Sequence, residues 1–353
     1  MAIPYIASKN GVILSLVLLA TAFCASWLLH MMIADLAVKC GEGAQIVSVF
    51  SRFLFRGRAK RPLTIGFFAL MLFVLVTNLT AYIAGAAEVI EGILPFSPLV
   101  SKLLFYAVAA SVVMFGLKAV GISEKYAVGA IFLLIGGLAA CSFFVPAHPL
   151  PVKPSGAADA LRFFGMAMLS LSAFFSIPQA VEGLGGDEKK IRKAVFLGLG
   201  NNFILIIVIT LCTLLSASEV TEVAITGWSA AIGSWAQIIG GVFTILAMLT
   251  TYWSISLALS GIVLEQTGWK ERICWLIATL PSLALALLNI GGFIDFLEMA
   301  GGAIAIIVAV MVVPAYMNAR REVPGSLAGR YGSAVFCALT IFAYIMMAVG
   351  SVI

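Results

Sequence analysis

The chain has 353 residues, of which 62% are hydrophobic and only 10% are charged. A soluble domain has about 45–50% apolar and about 25% charged residues, so this composition excludes one and predicts a polytopic α-helical protein of the lipid bilayer. The net charge of +5 does not indicate nucleic-acid binding, because the basic residues lie in short segments between apolar stretches.

Ten apolar stretches are long enough to be membrane-spanning helices. They are predicted at residues 11–36, 62–93, 98–117, 124–145, 160–182, 194–217, 231–264, 272–289, 292–316 and 330–352. The polar segment at 37–61 has apolar residues at helical spacing and a basic end. This pattern predicts a short helix lying at the cytoplasmic surface of the membrane.

The basic residues predict the orientation of the chain. If the 37–61 segment is cytoplasmic and the spans alternate, all but four of the 21 lysines and arginines lie on the cytoplasmic side. The four exceptions are Lys9, Lys102, Lys153 and Arg162. Because cytoplasmic loops are enriched in Lys and Arg, we expect an inner-membrane protein with cytoplasmic basic loops and an external C-terminus.

Two short sequence motifs recur at similar offsets along the chain. AIPY at 2–5 is echoed by SIPQ at 176–179, and LTAY at 79–82 is echoed by LTTY at 249–252. Chance is one explanation. The other is a duplicated unit of five spans, whose odd number would give the two copies opposite orientations. The predicted division of this single transmembrane domain is an incomplete first repeat at 1–145, a second repeat at 160–316 and an extra C-terminal helix at 330–352.

The start of the chain fits this division in one particular way. The first repeat is one span short, and the orientation places Met1 outside without a helix to carry it there. We therefore expect most of a first helix to precede Met1, with AIPY as the end of that helix.

The stretch at 163–195 begins with an apolar segment that has a polar interruption. Ser170, Ser172 and Ser176 lie in its middle, and Pro178 lacks a backbone N–H. A helix interrupted within hydrocarbon must have its free backbone groups satisfied by protein, by a cavity or by a ligand. The alternative is a proline kink in a continuous helix.

Several motifs together resemble the bacterial aromatic and hydroxy amino acid permeases. They are the tryptophan and tyrosine transporters of the amino acid–polyamine–organocation superfamily. The string SIPQAVEGLGGDEKKIRKAVFLG (176–198) resembles their sixth helix and the loop after it. AIPYIASKNG (2–11), TTYWSISLAL (250–259) and GGFIDFLEMAGG (291–302) resemble the end of the first helix, the eighth helix and the start of the tenth.

The resemblance implies a LeuT-type fold with a five-plus-five inverted repeat and one extra helix, here with about ten helices present. It implies a secondary amino-acid transporter that works by alternating access. Substrate would bind at the interruption and at the third and eighth helices of the fold. Carried over, the substrate-binding residues are Ser172, Phe175, Ser176, Ile177, Asn78, Tyr82 and Thr251. The glycine-rich first half of the family's first helix is absent here. Phe174 and Phe175 are bulkier than the glycines that often precede SIP in the family, so substrate selectivity does not carry over.

The coupling ion has two candidate sites. Glu298 is an intramembrane carboxylate that would carry a proton, although a solvated carboxylate at a helix end is the alternative. Thr250, Thr251 and Ser254 offer hydroxyl oxygens for a sodium ion, or hydrogen bonds between helices. The resemblance favours protons. His30 is expected either to titrate or to bond between helices.

Other functions compete with transport. An enzyme would need a nucleophile, a metal cluster or paired acid–base residues, and we identify none of these patterns. No metal or organic cofactor is therefore expected. An amino-acid-sensing receptor of the same fold and a truncated, non-functional copy are the remaining alternatives.

Overall fold

The computed structural model describes residues 3–41, 43–153, 156–221, 223–293, 296, 299–301 and 307–350. Within these ranges the regular structure is helical. The α-helices are α1 Ile3–Asn10, α2 Val12–Cys40, α3 Ile46–Phe53, α4 Lys60–Ile93, α5 Pro98–Val113, α6 Gly116–Ser142, α7 Ala157–Ser170, α8 Ile177–Gly183, α9 Glu188–Ser216, α10 Ala224–Ile232, α11 Ser234–Thr267, α12 Glu271–Leu287, α13 Val313–Glu322 and α14 Ala334–Gly350. Short 3₁₀ segments occur at Gly57–Ala59, Phe174–Ser176 and Gly329–Gly332, and Val308–Val312 is π-helical.

These helices account for most of the predicted spans. Six described segments are long and apolar enough to cross a membrane, namely α2, 57–93, α6, 157–183, α9 and α11. The shorter apolar helices α5 and α14 coincide with two more predicted spans, and α12 with the span at 272–289. The span predicted at 292–316 falls partly outside the described residues. The chain is an integral membrane protein, as its composition predicts.

Helix lengths recur in two parallel series. The helices α2 and α9 each have 29 residues, and α4 and α11 each have 34. Each 34-residue helix follows a short helix: α3, with 8 residues, precedes α4, and α10, with 9 residues, precedes α11. The next pair, α5 and α12, has 16 and 17 residues. This repetition supports the duplicated unit, whose boundaries at 1–145, 160–316 and 330–352 stay a prediction.

The longest helices form the centre of the bundle. The 34-residue helices α4 and α11 pack against each other, and α5, α6 and α12 pack around them. On the other side α7 packs between α14 and α2. Glycines bring α7 and α14 close together, because a Cβ on Gly165 would lie 3.2 Å from the Met347 carbonyl oxygen. A Cβ on Gly350 would overlap the Leu161 carbonyl oxygen, so larger residues there would force the two helices apart.

Helix α3 occupies the segment where a surface helix is predicted. Its apolar side chains Ile46, Val47, Phe50 and Phe53 are buried within the protein, against α2, α4 and α13. The Gln45 backbone N–H donates to Glu265 Oε1 at 3.1 Å, which ties the start of α3 to α11. The apolar face that the sequence assigned to lipid is therefore covered by protein.

A buried ion pair fixes the end of α2. Lys39 Nζ lies 2.9 Å from Asp35 Oδ2, and the two side chains are only 5% and 3% exposed. The other carboxylate oxygen of Asp35 accepts the backbone N–H of Leu327 at 2.7 Å. Asp35 thus joins α2 to the connection between α13 and α14.

Candidate functional site at an interrupted helix

The helix at 157–183 is interrupted in its middle. Helix α7 ends at Ser170, residues 171–173 are not helical, and α8 begins at Ile177 after the 3₁₀ turn Phe174–Ser176. Pro178 lies in the first turn of α8, where its missing N–H costs no helical hydrogen bond. The predicted interruption is confirmed, and the alternative of a continuous kinked helix is excluded.

Side chains from two neighbouring helices bond the backbone at the interruption. Ser26 Oγ on α2 donates to the Leu171 carbonyl oxygen at 2.6 Å. His30 Nε2, also on α2, accepts the backbone N–H of Ala173 at 2.9 Å. Asn202 Nδ2 on α9 donates to the Ser170 carbonyl oxygen at 2.8 Å. Because unpaired backbone groups are costly in hydrocarbon, these three contacts stabilise the non-helical segment.

The contacts of His30 define its protonation state. Its Nδ1 lies 2.6 Å from the Ser26 carbonyl oxygen and therefore carries a hydrogen. Its Nε2 accepts from Ala173 and therefore carries a lone pair. The side chain is fully buried. His30 is thus a neutral imidazole that bonds between helices, which is the second of its two expected roles.

The second half of the interruption and the start of α8 pack into the protein core. Phe174 and Phe175 are 1% and 7% exposed, and their ring centroids lie 4.0 Å apart. Ile177 is also buried. Ser176 Oγ lies 2.5 Å from Ser254 Oγ on α11, and Gln179 Nε2 donates to the Ser254 carbonyl oxygen at 3.0 Å. The start of α8 is therefore bound to α11.

A cavity of about 490 Å³ lies beside the interruption. Its walls come from α1, α6, α9, α10 and α11 and from the last residue of α7, Ser170. Apolar side chains such as Phe132 and Phe243 form most of the lining. Its polar groups are contributed by Ser170, Asn201, Asn202, Thr210, Thr250 and Thr251. A mainly apolar cavity with a few polar groups is typical of a site for a small organic molecule.

The structure brings some of the predicted site residues together. Thr250 and Thr251 line the cavity, and both hydroxyl groups donate to the Ala247 carbonyl oxygen, at 3.0 and 2.9 Å. Tyr82 lies on α4, the helix that packs against α11, on which Thr251 lies.

Other predicted residues lie apart from the cavity. Its lining does not include Ser172, Phe175, Ser176, Ile177, Asn78, Tyr82 or Ser254. Asn78 is buried on α4, where its Oδ1 has no hydrogen-bond partner among the described residues. Glu298 falls outside the described residues. In the described part of the chain, no three His, Cys, Asp or Glu side chains are grouped so that they could hold a metal ion.

The sequence analysis missed Asn202 and Ser26, and it did not identify the partner of His30. Asn202 belongs to the pair NN within the apolar stretch FLGLGNNFILII, which is a visible polar signal in a predicted span. Ser26 and His30 are spaced four residues apart and therefore share one face of α2. Their partners Leu171 and Ala173 are more than 140 residues away, a pairing that the spacing does not reveal.

Comparisons with known proteins give a family and a fold. A family model described as the tryptophan/tyrosine permease family matches residues 1–351. No curated protein matches the chain significantly. Among solved structures, the chain is similar to Mhp1, a nucleobase-cation-symport-1 family transporter in a closed conformation with bromovinylhydantoin bound. The identity is 15%, the TM-score is 0.64, and the match covers 99% of this chain and 86% of that one.

A second similar structure is MhsT in complex with L-phenylalanine. Here the identity is 14%, the TM-score is 0.58, and the match covers 99% of this chain and 92% of that one. At these identities the likeness shows the fold alone. It confirms the predicted LeuT-type, all-helical architecture.

Proposed function

This chain belongs to the tryptophan/tyrosine permease family, and from that membership we propose that it moves aromatic amino acids across the membrane by ion-coupled alternating access. Family and fold together make it a secondary amino-acid transporter. The aromatic class of the substrate, the coupling ion and the binding residues are the proposed part.

The observation that carries the proposal is the interrupted helix beside a cavity. In transporters of this architecture, substrate sites lie near the middle of the membrane at broken helices. Here the interruption at 171–176 adjoins a cavity of about 490 Å³ with an apolar lining. The volume falls within the ~300–1,000 Å³ usual for small-molecule sites, and the lining suits an aromatic side chain. The similar structure of MhsT holds L-phenylalanine, in agreement with this substrate class.

The proposed site consists of the residues predicted from the sequence together with two polar residues that line the cavity. The α-amino and α-carboxylate groups of the substrate would bind near the interruption, at Ser172 and Ser176, while Phe175 and Ile177 position this segment. Thr251, Asn78 and Tyr82 would form the wall contributed by α11 and α4. Ser170 and Asn202 add polar groups on the α7 and α9 sides of the cavity.

The proposed coupling ion is the proton, carried by Glu298. Sodium is the alternative, with Thr250, Thr251 and Ser254 as hydroxyl ligands. The hydrogens of Thr250 and Thr251 are both directed to the Ala247 carbonyl oxygen. Their oxygen lone pairs are thus left to accept, as a cation site requires.

The proposed orientation places the basic loops in the cytoplasm and the C-terminus outside. The bundle of α7, α8 and their repeat partners would rock against the scaffold of α4 and α11 around a fixed site. The two series of equal helix lengths support this division into repeats.

Uptake by the purified protein tests the function. Proteoliposomes should accumulate labelled tryptophan or tyrosine when an ion gradient is imposed, and an unlabelled aromatic amino acid should compete. Saturable binding without uptake under either a proton or a sodium gradient would instead identify an amino-acid-sensing receptor.

Substrate should protect a cysteine placed in the cavity. In a variant without the six native cysteines, Thr251→Cys is expected to react with a small thiol reagent and to be protected by the transported amino acid. Ile204→Cys is the matched control on α9, because Ile204 is 54% exposed on the surface of the bundle. Equal labelling of Thr251→Cys with and without substrate would show that substrate does not occupy the cavity.

The proton hypothesis predicts a specific loss in Glu298→Gln. This variant should lose accumulation driven by a pH gradient and keep the exchange of external for internal substrate, because exchange needs no net proton movement. Thr250→Val, which removes a hydroxyl at nearly constant volume, is the control and should keep pH-driven accumulation. If Glu298→Gln accumulates substrate normally and Thr250→Val abolishes a sodium requirement, the ion site belongs to the hydroxyl groups.

A further inference from the structure

A basic groove lies on the surface of the bundle between α2 and α9. It has a volume of about 580 Å³ and is lined by Trp27, Glu188, Lys189, Arg192, Lys193 and Phe196. The three basic residues are exposed and lie on one face of α9, at the i, i+3 and i+4 spacing that brings helical side chains together. We refer to these six residues as the α2–α9 groove.

The positive charge of the groove is not neutralised within the protein. Among the described residues, Lys189, Arg192 and Lys193 take part in no ion pair. Glu188 is the single acidic residue of the lining, so positive charge exceeds negative by three to one. The neighbouring Lys190 differs, because its Nζ pairs with Asp187 Oδ2 at 3.3 Å. Backbone and side-chain hydrogen bonds from Lys190 hold the pKa of the Asp187 carboxyl below its usual range, so this carboxylate stays ionised at neutral pH.

Trp27 on α2 forms the opposite wall. The Trp27 ring packs edge-on against Tyr331, with centroids 5.1 Å apart, and the Arg330 guanidinium lies 5.0 Å from the Tyr331 centroid. The indole N–H of Trp27 has no hydrogen-bond partner among the described residues. Tryptophan and tyrosine favour the boundary between lipid and water, where their rings meet both apolar and polar groups.

An exposed apolar surface continues from the groove along both helices. On α9, Phe196, Leu197 and Ile204 are 52%, 48% and 54% exposed. On α2, Ile13 and Val17 are 67% and 58% exposed. The groove therefore has a cationic end and an apolar extension, which matches a molecule with an anionic head and hydrocarbon chains rather than a free anion.

We propose that the α2–α9 groove binds an anionic phospholipid, with its phosphate headgroup at Lys189, Arg192 and Lys193 and its acyl chains along the apolar surface of α2 and α9. Basic pockets between membrane helices are known to bind such headgroups. The groove lies between the same two helices that bond the interruption, since Ser26 is on α2 and Asn202 is on α9. A lipid held here bridges the two helices that bond the non-helical segment.

Quenching by brominated lipids tests the proposal on the full chain without reference to transport. The protein is reconstituted in neutral phosphatidylcholine with increasing brominated phosphatidylglycerol or, separately, brominated phosphatidylcholine. The contribution of Trp27 is the difference between the wild type and Trp27→Phe. We expect half-maximal quenching of Trp27 at an at least ~tenfold lower fraction of the anionic lipid, because basic residues near the membrane surface attract anionic headgroups.

Two charge variants make the test specific. The triple variant Lys189→Gln, Arg192→Gln, Lys193→Gln should lose the preference for the anionic lipid. The matched triple variant Arg58→Gln, Lys60→Gln, Arg61→Gln should keep it, because these residues are also exposed and basic but lie away from the groove. Both are first shown to elute as monodisperse protein like the wild type. Equal loss in both variants, or no loss in the groove variant, would overturn the proposal.

Inorganic phosphate distinguishes a lipid from a soluble anion. Added at a concentration well above that of the lipid headgroups, it should not restore Trp27 fluorescence, because it has no chains for the apolar surface. If phosphate displaces the brominated lipid fully at matched ionic strength, the groove is a site for soluble anions and the lipid assignment is wrong.

Discussion

Replacing Asp35 with leucine is expected to cost about 3–5 kcal/mol in the free energy of unfolding, because it leaves a buried ammonium group without its counter-ion. Lys39 is only 5% exposed and lies 2.9 Å from the carboxylate. The same substitution removes the acceptor of the Leu327 backbone N–H, which would then be unpaired in the interior. Most of the protein should therefore fail to accumulate in a folded form.

The double variant Asp35→Leu, Lys39→Met should recover much of this loss. Apolar residues of similar size often replace a buried ion pair at little cost, whereas removal of one partner is strongly destabilising. The exposed pair Arg56–Glu322, at 2.8 Å, is the control. Glu322→Gln should change stability by at most ~1 kcal/mol, as is usual for surface pairs.

Thermal unfolding followed by gel filtration in detergent measures all three variants. The expected order of stability is Glu322→Gln, then the double variant, then Asp35→Leu. If Asp35→Leu is as stable as Glu322→Gln, the carboxylate of Asp35 is not needed to neutralise Lys39.

Replacing His30 with alanine is expected to reduce transport at least about tenfold. The Ala173 N–H loses its acceptor, and an unsatisfied buried donor costs ~1–3 kcal/mol. Because this N–H lies in the non-helical segment, loss of its hydrogen bond should disturb residues 171–176 before the rest of the bundle unfolds. The measurement is initial uptake normalised to folded protein.

The glutamine variant separates hydrogen bonding from loss of volume. A glutamine side chain can place its amide oxygen near the position of the histidine Nε2, so His30→Gln should keep much of the uptake. Ser26→Ala removes the neighbouring bond to the Leu171 carbonyl oxygen and should give a smaller defect of the same kind. If alanine and glutamine at position 30 are equally impaired, the acceptor at Nε2 is not the property that matters.

Local sequence patterns account for much of the fold. The apolar stretches locate most helices, since a span requires ~20 apolar residues and few other structures tolerate them. The interruption is also visible, because Pro178 follows a run that contains Ser170, Ser172 and Ser176. These signals are local, so composition and spacing are sufficient to read them.

The binding side chains are harder to predict because they depend on packing between distant segments. The face of α3 shows this limit: its apolar residues suit lipid and protein equally well, and only the positions of α2 and α4 decide between them. Phe175 shows it again, because an aromatic residue at an interruption can line a cavity or stack in the core. Here it stacks on Phe174.

The close contact between α7 and α14 has a consequence for biosynthesis. Gly165 and Gly350 meet across 185 positions (350 minus 165) and allow the backbones to touch. At ~5–20 residues per second, a ribosome needs on the order of 10–40 s to make the intervening chain. During that interval α7 is in the membrane without α14, the helix that covers its glycine face. Membrane chaperones and proteases would therefore meet a nascent chain whose interrupted helix is still uncovered, and any ribosome stalled before residue 350 would leave it so.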